Sequence, residues 1–353
     1  MSKGTRPILR KILIRAVVLA LALVVGLCVL EMAARVVFDR NGMHYGIEMW
    51  KYAKYLKRRS DNREMSHEHV PNSEAVLMGV TMKINSQGLR DREFSFQKEP
   101  GVYRILILGD SMTVGWGAPV EATYPKVLEK LLEESRPDST APHCEVINTG
   151  VGNYNTSQEV AYFKEQGLRY QPDMVVLGFY INDAEPTPRP SGGWIARHSY
   201  LYVLTSSFLD GLGRKMSRRQ SFTEYYLDLY HSARPGWRAC QKSLLELNRL
   251  CRENDVVLRI LLIPELHSPA ENYPFVKVHT MIKDVAQKNN IRVIEVRHAM
   301  KGIDPPRLWV SPGDANPSAL AHRIIAEELF EALSKDIPWL KPAVSSEPIL
   351  LNE

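Results

Sequence analysis

Five short apolar runs, each separated from the next by a stretch of helical pattern, constrain this chain more than any other feature. They are Tyr103 to Leu108, Glu145 to Asn148, Asp173 to Phe179, Val256 to Ile263 and Arg292 to Val296. Runs so continuously apolar suit strands buried on both faces, as in a parallel sheet covered by helices. Between them, Glu121 to Glu134 places Tyr124, Val127, Leu128, Leu131 and Leu132 on one face. Trp237 to Arg252 does the same with Trp237, Cys240, Leu244, Leu247 and Cys251. A three-layer, doubly wound α/β fold of about five parallel strands follows. With 353 residues, 44% of them hydrophobic, one main domain is expected. Ligands in such sheets bind beyond the carboxyl ends of the strands.

Ahead of this domain the run Ile12 to Leu30 is long enough to span a bilayer, with Arg15 near its start able to snorkel. Lys3, Arg6, Arg10, Lys11, Arg15, Arg35 and Arg40, against Glu31 and Asp39, account for the whole formal excess of +5. The rest of the chain is formally neutral, which removes the basic face that nucleic-acid binding needs. The charges predict a single-pass inner-membrane protein with a cytoplasmic tip and anchor over 1–35 and everything beyond in the periplasm. A cleaved signal peptide fits less well, since the apolar run is long and no small-x-small site follows it. Leu27 before Cys28 argues against a lipoprotein.

Residues 36–100 read as a membrane-proximal stalk with a turn at Gly88, 101–340 as the α/β domain, and 341–353 as a loose tail. His67 and His69 form an HxH in the stalk, read as solvated and not as a metal site. The four cysteines have neither disulfide nor metal spacing.

The loops after the strands carry the chemistry. The first strand is followed by Gly109-Asp110-Ser111, which exposes a hydroxyl at a strand-to-loop corner. After the second comes Gly150-Val151-Gly152-Asn153, and after the third Asn182-Asp183. Asp314 precedes a helix beginning near Pro317. In this order and context the four blocks, spread over Arg104 to about Leu333, resemble the GDSL or SGNH hydrolase family. The resemblance implies Ser111 as nucleophile, an oxyanion hole from the Ser111 amide, a second-block amide and the Asn182 side chain, and Asp314 as orienting carboxylate. It further resembles membrane-anchored bacterial members, some of them associated with modifying envelope polysaccharides.

Two departures stand out. Asn153 occupies the position of the second-block glycine, with Gly152 one residue earlier, so either amide is a candidate donor. Asn316 stands where the family has its catalytic histidine, and an amide cannot take a proton at neutral pH. His322, His267 and His298 are the replacement candidates, His322 being nearest in sequence.

An aromatic-rich insertion over 186–235 is read either as a lid or substrate wall or as packing. No phosphate-binding glycine loop is present, so no nucleotide cofactor is implied. The expected activity is that of a serine esterase or O-acyltransferase on an acylated envelope carbohydrate or lipid. The alternative is a degenerate relative that binds an acylated glycan or a partner without efficient turnover.

Overall fold

The computed structural model describes residues 5–40, 44–188, 193–216, 221–269 and 272–340. The expected tail, 341–353, lies outside the described residues. In chain order the elements begin with α1 (Thr5–Arg40), α2 (Tyr45–Tyr55), β1 (Lys57–Arg59), β2 (His67–His69), β3 (Glu74–Leu77) and β4 (Val80–Lys83). There follow β5 (Val102–Gly109), α3 (Ser111–Val114), α4 (Tyr124–Glu134), β6 (His143–Asn148), α5 (Thr156–Glu165) and β7 (Met174–Phe179). Then come α6 (Trp194–His198), α7 (Tyr200–Met216), α8 (Phe222–Leu229), α9 (Pro235–Glu253), β8 (Val257–Leu262), α10 (Val276–Lys288) and β9 (Arg292–Glu295). The hairpin β10 (Trp309–Ser311) and β11 (Asp314–Pro317) precedes α11 (Ala319–Leu333).

Two compact units are distinguished: Met1–Lys51 with Ser191–Arg219, and Tyr52–Pro190 with Gln220–Glu353. In the first, Arg10–Asp39 of α1 contains an 18-residue window with a mean hydropathy of 2.9, none of which is buried. Among the described residues it is the one helix long and apolar enough to cross a membrane, consistent with the expected anchor. Near the end of α1, Ala34 packs with Ile47, Tyr200 and Val203. Glu31 accepts the amides of Tyr200 and Leu201, both at 3.0 Å, satisfying two of the donors that the start of α7 leaves open. The middle of the 186–235 insertion therefore folds with α1.

In the second unit all five expected strands form one parallel sheet in the order β6-β5-β7-β8-β9. Alternate residues face opposite layers, as the strand period of two requires. Leu106, Leu108, Val175, Leu177 and Ile260 pack under α5, α9 and α10, while Ile105, Ile107, Met174, Val176 and Leu261 pack under α4 and α11. The chain leaves β5 in one direction to reach β6 and passes to its other side for β7. That reversal opens a crevice at the carboxyl ends of β5 and β7.

The segment expected as a stalk is folded instead. From Tyr52 onward it belongs to the α/β unit, with β1 pairing β2 and β3 pairing β4. Leu56, Met82 and Ile84 are wholly buried, and Met65, Leu89 and Phe94 join the main core. Burial of these side chains supplies what a solvated stalk would lack.

Candidate active site

Strand β5 ends at Gly109, where any side chain would sit 2.0 Å from Thr113 Oγ1. Asp110 then caps α3, its Oδ1 accepting the Met112 amide at 2.9 Å. This turns Ser111 outward to a half-buried position at the head of the crevice. The other Asp110 oxygen accepts Asn182 Nδ2 at 2.8 Å. Asn182 lies in the loop after β7, which Tyr230 braces by donating its hydroxyl to Ile181 O at 3.0 Å. The structure thus brings Ser111 and Asn182 together on the two sides of Asp110. Burial pushes the Asp110 carboxyl up to about 6, against the Met112 amide and Asn182, which hold it down.

The loop after β6 uses nearly all of its amides internally. Gly150 donates to Asn148 Oδ1 at 3.0 Å, and Val151 donates to Gly109 O at 3.0 Å. Gly152 donates to the Tyr52 hydroxyl at 2.9 Å, and Tyr154 to Val151 O at 3.1 Å. Asn153, at φ 67°, is the one residue of this run whose N–H has no acceptor among the described residues. Of the two candidate donors, Gly152 is therefore occupied and Asn153 is open. Asn is among the few residues that hold a positive φ at small cost. Gly152 is glycine for another reason: a Cβ there would meet Tyr52 Cε1 at 2.6 Å.

The third part of the site is the β10–β11 hairpin, whose second strand packs against α3. Asp314 Oδ1 accepts the Asn316 amide at 3.0 Å and Asn316 Nδ2 at 2.5 Å. Burial raises the Asp314 carboxyl above its ordinary value, against those two bonds. Asp314 Oδ2 and Asn316 Oδ1 are buried without a partner among the described residues.

His322 does not fill the gap left by Asn316. It is wholly buried on α11, and its Nδ1 accepts the Tyr124 amide at 3.2 Å. Burial, with the Arg90 charge, depresses it to about 3. His267 sets Nδ1 against the Glu265 carboxylate and Nε2 3.2 Å from Pro312 O, while His298 pairs with Glu328 at 3.0 Å. Among the described residues no histidine nitrogen bonds the Ser111 hydroxyl.

Lys57 and Tyr52, which the sequence reading passed over, and His67, which it read as solvated, complete the site. Lys57 donates to Gly152 O at 2.5 Å and Asn153 Oδ1 at 2.9 Å. His67 Nε2 lies 3.1 Å from Gly152 O. Tyr52 joins His69 Nε2 at 2.7 Å. The HxH motif is thus not solvated, and no group of metal-ligating side chains occurs among the described residues. Nothing in the local sequence ties these residues to the loop, which they reach from about a hundred positions away.

An arylesterase of Vibrio mimicus is 30% identical over 80 residues, which is 23% of this chain and 38% of the relative. Among solved structures the chain is similar to the esterase EstA from Pseudoalteromonas sp., at 15% identity, covering 67% of this chain and 98% of that one with a TM-score of 0.42. Another is the acetylxylan esterase Axe2 from Geobacillus stearothermophilus, at 16% identity, 68% and 96% coverage and a TM-score of 0.43. Residues 107–324 match the GDSL-like Lipase/Acylhydrolase family over more than half of the sequence, and the chain belongs to that family.

Proposed function

We propose that this chain is a membrane-anchored serine acyl-transfer protein that takes the acyl group of an ester, on an envelope carbohydrate or lipid, onto Ser111. Ser111 Oγ would attack the ester carbonyl carbon, forming the new C–O bond as the bond to the leaving alkoxide breaks. The developing oxyanion would be met by the Ser111 and Asn153 amides and the second N–H of Asn182 Nδ2. Each such donor is worth about 2.7 to 4 kcal/mol of barrier where one has been removed from a serine hydrolase. The observation that carries this reading is the bond from Asn182 to Asp110, which sets the asparagine beside the serine at the end of the sheet.

The serine proton must reach the leaving alkoxide. Asn316, at the family's histidine position, cannot carry it, so turnover by the unmodified chain is slow. A binding role without turnover is the second reading, favoured by the bond from Asn316 to Asp314, which occupies one carboxylate oxygen with a group unable to relay a proton. The deciding measurement is hydrolysis of a small activated acetate ester by the detergent-solubilised chain with Ser111→Ala as background. Slow turnover above that background supports acyl transfer, and none supports binding.

The anchor would be the apolar helix through residues 12–30, with the α/β unit in the periplasm. A reporter active only in the cytoplasm, fused after Glu353, should be silent, and strong activity would reverse the orientation.

A further inference from the structure

The family match begins at residue 107, yet the loop that offers the Asn153 amide is gripped by residues that precede it. Lys57 holds two successive oxygens, Gly152 O at 2.5 Å and Asn153 Oδ1 at 2.9 Å. Its ammonium also lies 4.3 Å from the centre of the Tyr52 ring, a favourable place for a cation. Tyr52 accepts the Gly152 amide at 2.9 Å and donates its own hydroxyl to His69 Nε2 at 2.7 Å. His69 Nδ1 is then the donor to Gly88 O at 3.0 Å. The peptide between Gly152 and Asn153 is therefore held through its carbonyl, and the residues on both sides of it are held as well. That same peptide carries the open Asn153 N–H.

We propose that Lys57 is a positioning residue for acyl transfer at Ser111, aiming the Asn153 amide at the oxyanion by fixing Gly152 O and Asn153 Oδ1. The proposal rests on the Ser111 reading above. Pre-organised donors stabilise a transition state only when their orientation is fixed beforehand, and Asn153, exposed and at positive φ, has no hydrogen bond of its own N–H to fix it. The charge matters to the grip, because an ammonium donates stronger hydrogen bonds than a neutral amine. Among the described residues, the groups facing Lys57 are the Tyr52 ring, neutral His67, the Gly152 carbonyl and the Asn153 side chain, and the acid acting on it is Asp110. Burial brings Lys57 down to about 7, against the pull of Asp110 upward. The grip is thus full below neutral pH and weaker above it.

The test uses the full chain in detergent and the rate at which an alkyl fluorophosphonate labels Ser111, read by intact mass with Ser111→Ala as the blank. The phosphonyl oxygen occupies the oxyanion position, so the rate reports donor alignment. Lys57→Met should slow labelling between tenfold and the roughly 10²-fold that loss of one oxyanion donor costs. Its melting temperature should stay near that of the parent, and the parent-to-variant rate ratio should be larger at pH 6 than at pH 8. Asn153→Gly relieves the positive φ but removes one of the two oxygens that Lys57 holds. It should label several-fold more slowly than the parent and shrink the effect of Lys57→Met. Equal labelling of parent and Lys57→Met, a rate ratio independent of pH, or labelling of Asn153→Gly as fast as the parent would overturn the positioning role. Should Lys57→Met fail to fold, the Asn153→Gly rate decides alone. A parent chain labelled no faster than Ser111→Ala would instead sink the acyl-transfer reading itself, and the role of Lys57 with it.

Discussion

Asn316 donates Nδ2 to Asp314 Oδ1 at 2.5 Å, which is the bond an imidazole Nδ1–H would make from the same backbone position. Asn316→His should therefore find its orienting carboxylate in place. In serine hydrolases loss of the histidine alone costs about 10⁶ in turnover, so restoring it should raise Ser111-dependent acetate hydrolysis at least about 10²-fold, even with imperfect geometry. Turnover by the unmodified chain in the ordinary enzyme range of about 1 to 10³ per second would show that another base already serves. A second residue-scale expectation concerns Gly152, whose added methyl would enter the Tyr52 ring at 2.6 Å. Gly152→Ala should cost about 1 to 3 kcal/mol in denaturant unfolding, as overpacking does. A variant as stable as the parent would mean that Tyr52 is free to move away. Ser111, Asn182 and Asp314 were legible because each stands at a strand end or before a helix. The glycine displaced to position 152 was visible, but its cause was not, since Tyr52 is a hundred residues distant in the chain.

At the scale of elements, Asp91 ties three pieces of the fold together. Its Oδ1 accepts Lys126 Nζ of α4 at 2.9 Å, and its Oδ2 accepts the Asn148 amide at the end of β6 at 3.0 Å. Both members of the ion pair are nearly buried, with 7% and 1% of their side chains exposed. Removing one partner of a buried pair costs about 3 to 5 kcal/mol. Because Glu129 also holds Lys126, at 2.6 Å, Asp91→Ala should fall at the lower end, about 3 kcal/mol by denaturant titration. A loss below about 1 kcal/mol would mean that Glu129 and water suffice. The five strands of the sheet were legible because burial on both faces writes an unbroken apolar run. Strands β1 to β4 were not, being three or four residues long, too short for a period of two to register. Their buried anchors, Leu56, Met65, Met82 and Leu89, are scattered singly among charged residues, and that pattern read as a solvated stalk.

Across the α/β unit, two histidines with almost no exposure make folding sensitive to acid. His69 is 2% exposed and His322 wholly buried. Burial depresses each to about 3: for His69 the bond to Gly88 O opposes the shift and the neighbouring charges of Lys57, His67 and Arg90 add to it, and for His322 the Arg90 charge adds to it. In the unfolded chain both titrate near 6.5. Between about pH 6.5 and pH 3 the unfolded state therefore binds protons that the folded state refuses, and stability falls as pH falls. At pH 5 the penalty is about 2 kcal/mol for each histidine, or about 4 kcal/mol together, a large share of the roughly 5 to 15 kcal/mol that stabilises a typical domain. The melting temperature of the full chain should therefore drop steeply from pH 7 to pH 5. His69→Gln with His322→Gln, which removes both titrating groups, should flatten the dependence even if the variant is less stable at pH 7. A melting temperature that stays level between pH 7 and pH 5 in the parent would show that these imidazoles accept protons in the folded state, through openings that the packing around β2 and α11 does not provide.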